Sequence, residues 1–157
     1  MKNITLVRID DRLIHGQVMT QWVKSRYFNT ILIVDDAIAK DDFLKSIAVM
    51  AVPSEFKGLV MKVDEAIDYL KSEANNESIL VLVKFVSTIE QLIHQGISIP
   101  ELNVGGIGMK PGRKKIYRNI AISDTEKETF LRLISNGTKV TVQIVPSDPV
   151  IEIEKLF

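Results

Sequence analysis

Arg8, Asp10, Asp11, Arg12 and His15 fall within eight residues of the stretch VRIDDRLIHGQV (7–18), and Gly16 and Gln17 follow at once. Imidazole is a nucleophile when one ring nitrogen is neutral, and neighbouring arginines favour that form. Guanidinium groups fork onto phosphate-type oxygens. A glycine lets backbone approach a ligand closely or take a positive φ. Together these residue types suit a phosphoryl acceptor at His15, with Arg12 and Arg8 supplying fixed positive charge. Asp10, Asp11 or a backbone carbonyl would hold the second ring nitrogen. Transfer of a metaphosphate-like group needs positioning and charge stabilisation more than covalent apparatus. The opposing reading is a solvated loop whose Asp–Arg pairs form a structural network of little energetic weight.

The elements that would position this loop are legible from patterning. Segments 3–9, 30–36, 58–63, 78–85, 101–106, 116–122 and 139–145 read as strands. The second and fourth are almost continuously apolar, as suits strands covered on both faces. Between them lie apolar stripes at helical spacing: Val18, Met19, Trp22 and Val23; Phe43, Leu44, Ile47, Met50 and Ala51; Ala66, Ile67 and Leu70; Ile89, Leu92 and Ile93; Phe130, Leu133 and Ile134. Ser87 with Glu90, and Ser123 with Glu126, read as capping boxes. Gly137 reads as a left-handed helix stop.

This alternation predicts a single α/β domain over residues 1–157. It would hold a mostly parallel sheet of about seven strands, helices on both faces, and one or more antiparallel strands toward the C-terminal part. The tail from Pro146 is compatible with an edge strand or a docked helix. In such sheets ligands sit beyond the carboxyl ends of the strands. The loop from Asp10 to Gly16 lies on that edge, ahead of a helix whose first N–H groups suit an anion.

Bulk composition narrows the function classes. The chain has 20 basic and 20 acidic residues, so no net field favours nucleic acid or anionic lipid. It has no cysteine, which excludes disulfides, thiol catalysis and Cys-based zinc sites. No leader or membrane-spanning run is legible, and a cytoplasmic protein is expected. The two histidines, His15 and His94, have no metal-ligand spacing, so no metal and no cofactor is expected.

Other candidates have ordinary roles beside the functional ones. His94 suits the last turn of a helix and its negative dipole end. Asp35 and Asp36 suit caps. Gly105, Gly106 and Gly108 read first as a turn, with a wall near the histidine as the alternative. Lys110, Arg113, Lys114, Lys115 and Arg118 read as a solvated loop, with a docking edge for an acidic partner as the alternative.

RIDDRLIHGQV resembles the active-site signature of the IIB components of the mannose/fructose/sorbose family of bacterial phosphoenolpyruvate-dependent sugar phosphotransferase systems. IVDDAIAKDDF (33–43), MAVP (50–53), NVGGIGMKPGRKKIYRNIAIS (103–123) and VQIVPSDP (142–149) are similar to the same family in the same order. The resemblance implies a cytoplasmic phosphocarrier, peripherally associated with a membrane permease. Its histidine, falling on His15 and modified at Nδ1, would take a phosphoryl group from a IIA phosphohistidine and pass it to a sugar held by membrane IIC and IID components. The family's loop arginine falls on Arg12. Asp10, Gly16 and Gln17 match the rest of the loop, and Arg8 the strand end. A homodimer is compatible with the resemblance. The competing class is a non-catalytic anion- or nucleotide-binding α/β regulator.

Overall fold

The computed structural model describes residues 1–157, side chains included, except the side chains of Gln17 and Val18. In chain order the elements are β1 (Asn3–Asp10), α1 (Gly16–Ser25), β2 (Thr30–Val34), α2 (Asp36–Ala39), α3 (Asp42–Ala51), β3 (Lys57–Met61), α4 (Val63–Lys71) and β4 (Ser78–Val83). There follow α5 (Val86–His94), β5 (Glu101–Gly106), β6 (Lys114–Tyr117), β7 (Ile120–Ile122), α6 (Asp124–Ser135), β8 (Lys139–Val142) and β9 (Ile151–Glu152). A 3-10 turn, Ile153–Leu156, ends the chain.

Seven strands form one sheet in the order β3-β2-β4-β1-β5-β8-β9, parallel except for β9, which pairs antiparallel with β8. The apolar runs of β2 and β4 alternate between two cores. Leu32, Val34, Ile79, Val81 and Val83 join Ala66, Leu70, Ile89, Leu92, Phe130 and Leu133 of α4, α5 and α6 on one face. Ile31, Ile33, Leu80 and Leu82 join Leu6, Met19 and Trp22 on the other, the α1 face. Two-sided cover is what made these strands continuously apolar. No helix among the described residues is long and apolar enough to cross a membrane.

Two expectations need correction. Residues 116–122 are not one strand but the end of β6, a turn and β7; this hairpin turns at Arg118 (φ +36°) and lies outside the main sheet. The seventh strand comes instead from the tail, as β9. The Ser87–Glu90 capping box is absent: α5 begins at Val86, and Glu90 binds Arg132 across to α6, at 2.8 and 3.2 Å. The helix α3 exists, but its apolar stripe does not enter the core; Phe43, Leu44, Ile47 and Met50 are exposed.

Other local expectations hold. Ser123 and Glu126 exchange hydrogen bonds at the start of α6 (3.1 and 3.0 Å). Gly137 follows that helix with φ +97°. Asp35 Oδ1 accepts from Ile38 N (2.9 Å), and Asp36 Oδ1 accepts from Val63 N (2.8 Å), so both aspartates act on helix starts. His94 occupies the last turn of α5.

Candidate functional site

Strand β1 runs between β4 and β5, so its carboxyl end opens at the middle of the sheet edge. Asp10 is its last residue and is fully buried. The chain then turns back: Leu13 N donates to Asp10 O (2.9 Å), with Leu13 in the left-handed region at φ +58°. A branched residue rarely takes that geometry, and doing so costs about 1 kcal/mol or more. The Leu13 side chain enters the α1-face core, which anchors the loop. Two residues later His15 becomes the N-cap of α1, in extended geometry, with its side chain making no capping bond.

That side chain turns to Asp10. His15 Nε2 lies 3.2 Å from Asp10 Oδ2. A carboxylate is an acceptor only, so Nε2 is the donor here, and in the neutral ring this tautomer leaves the lone pair on Nδ1. Of the partners expected for the ring, Asp10 is the one in place. Asp11 instead accepts from Gly108 N at 2.6 Å, tying the loop to the segment after β5.

Asp10 gathers four more donors. Oδ1 accepts from Arg12 N (3.1 Å) and Arg12 Nε (3.0 Å). Oδ2 accepts from Arg12 Nη2 (3.0 Å) and Arg8 Nη2 (3.2 Å). Burial alone would raise its pKa. The hydrogen bond from Arg12, the Arg8 charge and the His15 contact overcome that and hold the carboxyl below its ordinary range. The same contact with Asp10 raises Arg12 above its usual value.

The two arginines differ. The Arg12 side chain is 43% exposed and that of His15 26%, so both reach the surface. Arg8 was expected at phosphate, but its side chain is 3% exposed and sits behind Asp10. Its guanidinium donates to Asn103 Oδ1, to Gln143 O (2.9 Å) and to Ile144 O (2.8 Å), and it stacks on Trp22 at 4.9 Å. Burial lowers its pKa to about 10, which leaves it cationic at neutral pH. The strand end could not be told from the loop surface in sequence, because an arginine at the last in-facing position of a strand is patterned like one outside.

Gly16 is helical and does not use positive φ; a Cβ there would meet no atom within 4 Å. Open space therefore lies before the helix start, where the first N–H groups have no acceptor inside the helix. The Gln17 side chain lies outside the described residues.

Gly105 and Gly106 are strand residues, not a turn, and they form the wall of the site. A Cβ on Gly105 would fall 1.9 Å from Arg8 Nη2, and one on Gly106 would fall 2.9 Å from Asp10 Oδ1. Asn119 closes the same wall, donating to Gly105 O at 3.1 Å. Asn103, Trp22 and Asn119 were missed in sequence. The usable signal was a glycine pair at the end of a strand adjacent to one carrying an arginine and an aspartate.

Within the basic cluster Arg113 stands apart. It donates to Gly108 O (2.7 Å) and makes a two-pronged pair with Glu126 (2.8 and 2.9 Å). Arg118 lies over the Tyr117 ring at 5.2 Å, reaches Asp148 at 3.5 Å, and is largely exposed.

The fold and the site together define a mostly parallel α/β domain with a histidine, an arginine and a buried carboxylate where its first strand leads into its first helix. The sorbose-specific EIIB component of Klebsiella pneumoniae is 32% identical over 151 residues, covering 96% of this chain and 92% of that protein. The fructose-specific EIIB component of Bacillus subtilis (strain 168) is 32% identical over 149 residues, covering 94% and 91%. The mannose-specific EIIAB component of Escherichia coli (strain K12) is 30% identical over 155 residues; the match takes in 98% of this chain but 48% of that protein. The crystal structure of the IIBSor domain of the Klebsiella pneumoniae sorbose permease superposes with a TM-score of 0.92 at 30% identity, covering 98% of this chain and 95% of that one. Residues 4–157 match the family described as PTS system sorbose subfamily IIB component, and the chain belongs to it. Membership assigns it a phosphocarrier role in sugar uptake, as a component of a sugar phosphotransferase.

Proposed function

We propose that His15 is the phosphoryl carrier of this IIB component. In the donor step the lone pair on Nδ1 attacks the phosphorus of a IIA phosphohistidine; the new N–P bond forms as the donor's N–P bond breaks. The His15 ring gains positive charge in that step, and Asp10 stabilises it while keeping the proton on Nε2. Arg12, with the N–H groups at the start of α1 behind Gly16, neutralises charge on the phosphoryl oxygens. The Gln17 backbone belongs to the same helix start. In the acceptor step a sugar hydroxyl oxygen attacks phosphorus and gives up its proton to solvent, while the Nδ1–P bond breaks and its electron pair returns to the ring. The sugar is held by membrane IIC and IID components, to which the protein binds from the cytoplasm. Arg8 acts through Asp10, supporting the carboxylate from inside, and has no contact with phosphate.

The observation that carries this reading is the contact of His15 Nε2 with a buried, arginine-held carboxylate. The test is phosphorylation by phosphoenolpyruvate and the upstream relay proteins, followed by mass spectrometry. One acid-labile phosphate on His15, absent from His15→Ala, is expected. A His15→Ala protein that still acquires it overturns the assignment. Tight reversible binding of a nucleotide or sugar phosphate, without covalent transfer, would instead make the protein an anion-binding regulator.

A further inference from the structure

The stripe on α3 is apolar and unburied, and it adjoins the histidine loop. Phe43 is 73% and Met50 83% exposed, and no residue of α3 is buried. Beside them is a cavity of about 280 Å³. One wall is Leu44, Ile47 and Ala48 of α3; another is Arg12, Leu13 and Ile14, the three residues that lead to His15. The charged side chains lining it are Arg12 and Lys84, both basic. Exposed apolar patches of this kind on otherwise well-packed domains mark interaction surfaces.

Resting on the phosphocarrier reading, we propose that the α3 stripe and this groove are the docking surface for the phosphohistidine donor. Continuity with the histidine loop argues for that occupant; the permease must reach the same phosphorus, and the test below separates the two. His15 is only partly exposed and lies over Asp10, so a donor that brings phosphorus within bonding distance of Nδ1 must cover the loop, and the loop's own residues are the groove wall. The fitting partner face carries one or two apolar side chains for the groove and an apolar area beside them that covers the exposed Phe43 and Met50. Acidic groups around them would meet Arg12 and Lys84. Such a face gives affinity through a desolvated apolar centre and orientation through its charged rim.

The experiment compares wild-type protein with Phe43→Ser/Met50→Ser, both exposed positions outside the transfer chemistry, and checks folding by circular dichroism. Each is phosphorylated in two ways: by the phosphorylated IIA donor, and by phosphoramidate, a small phosphoryl donor that needs no docking surface. In the variant, KM for the protein donor is expected to rise about ten-fold or more, as when anchor residues of an interface are removed. Its kcat and phosphoramidate labelling stay at wild-type values. An unchanged KM overturns the docking proposal. If sugar phosphorylation at the membrane then falls, the face belongs to the permease; if the variant alone becomes monomeric, it belongs to a second copy. Absence of phosphoramidate label on wild-type His15 would instead count against the carrier reading itself.

Discussion

Asp10 Oδ2 accepts from His15 Nε2 at 3.2 Å, and the same oxygen accepts from Arg8 and Arg12. One buried carboxylate thus orients the ring, anchors the exposed arginine and neutralises the buried one. An amide in its place keeps the shape but offers an NH2 group to guanidinium donors and leaves Arg8 without a counter-charge.

Asp10→Asn is therefore expected to lose about 3 kcal/mol of stability in urea unfolding, the scale for removing one partner of a buried pair. Phosphoryl transfer to His15 should slow by about 100-fold or more. Because the folded carboxyl titrates below its ordinary range, its stabilisation is full above that range and is lost as pH falls through the lower folded value. The gap between wild type and variant should narrow in acid. Wild-type stability and rate in the variant would remove Asp10 from both roles.

The glycines give a second contrast. Gly105→Ala drives a Cβ to 1.9 Å from the Arg8 guanidinium, and Gly16→Ala meets nothing within 4 Å. The first should destabilise by about 1–3 kcal/mol, the scale of overpacking a core. The second should leave stability unchanged or slightly raised, because alanine is the better helix former. If an incoming phosphoryl group uses the open space at Gly16, Gly16→Ala still slows transfer. Thermal unfolding beside transfer kinetics separates the two effects.

The sheet and the loop could be read in sequence because each depends on local pattern: runs of β-branched residues, helical spacing, charges bracketed by apolar ridges. The hairpin at 114–122 could not. Its break rests on Arg118 at φ +36°, a position usually signalled by glycine or asparagine. The role of Gly105 and Gly106 was hidden because it depends on side chains that reach over from β1, a neighbour in space and not in sequence. The α3 stripe has the spacing of a core helix, and periodicity cannot tell a buried face from one awaiting a partner. His15, Arg12 and Asp10 fall together since five residues of tight turn leave them few other places to go.

At the opposite edge of the sheet, Glu77 is held by Lys2 Nζ (2.5 Å), Lys57 Nζ (3.0 Å) and the Tyr69 hydroxyl (2.9 Å). The Lys2 contact first, then the hydrogen bonds from Lys57 and Tyr69, lower its pKa from 4.5 to about 2 against the effect of burial. A carboxyl with a depressed folded pKa contributes stability that is complete above 4.5 and is lost as pH falls toward 2. Glu77→Gln should flatten the stability–pH profile across that window and cost about 2 kcal/mol at neutral pH. Transfer to His15 should be unaffected, since the cluster lies at the amino ends of the strands. A profile as steep as the wild type's would show that another carboxyl controls acid unfolding.

Arg113 and Lys115 lie two residues apart in one basic run, yet their substitutions should differ sharply. Arg113 is nearly buried; it holds the Gly108 carbonyl and both oxygens of Glu126. Gly108 N in turn is held by Asp11, next to the site carboxylate. Arg113→Met removes the clamp from both sides: Glu126 keeps its cap on Ser123 but loses its counter-charge, and the segment after β5 is freed from α6. Its loss should cost about 3 kcal/mol, as for breaking a buried pair. With Gly108 held by Asp11 alone, the His15 loop should loosen and transfer should slow with it. Lys115→Met, on an exposed strand, should stay within about 0.5 kcal/mol of wild type. Hydrogen exchange at the Gly108 amide reads the difference directly: faster in Arg113→Met, unchanged in Lys115→Met. Equal exchange in the two variants would mean that Asp11 alone fixes the segment.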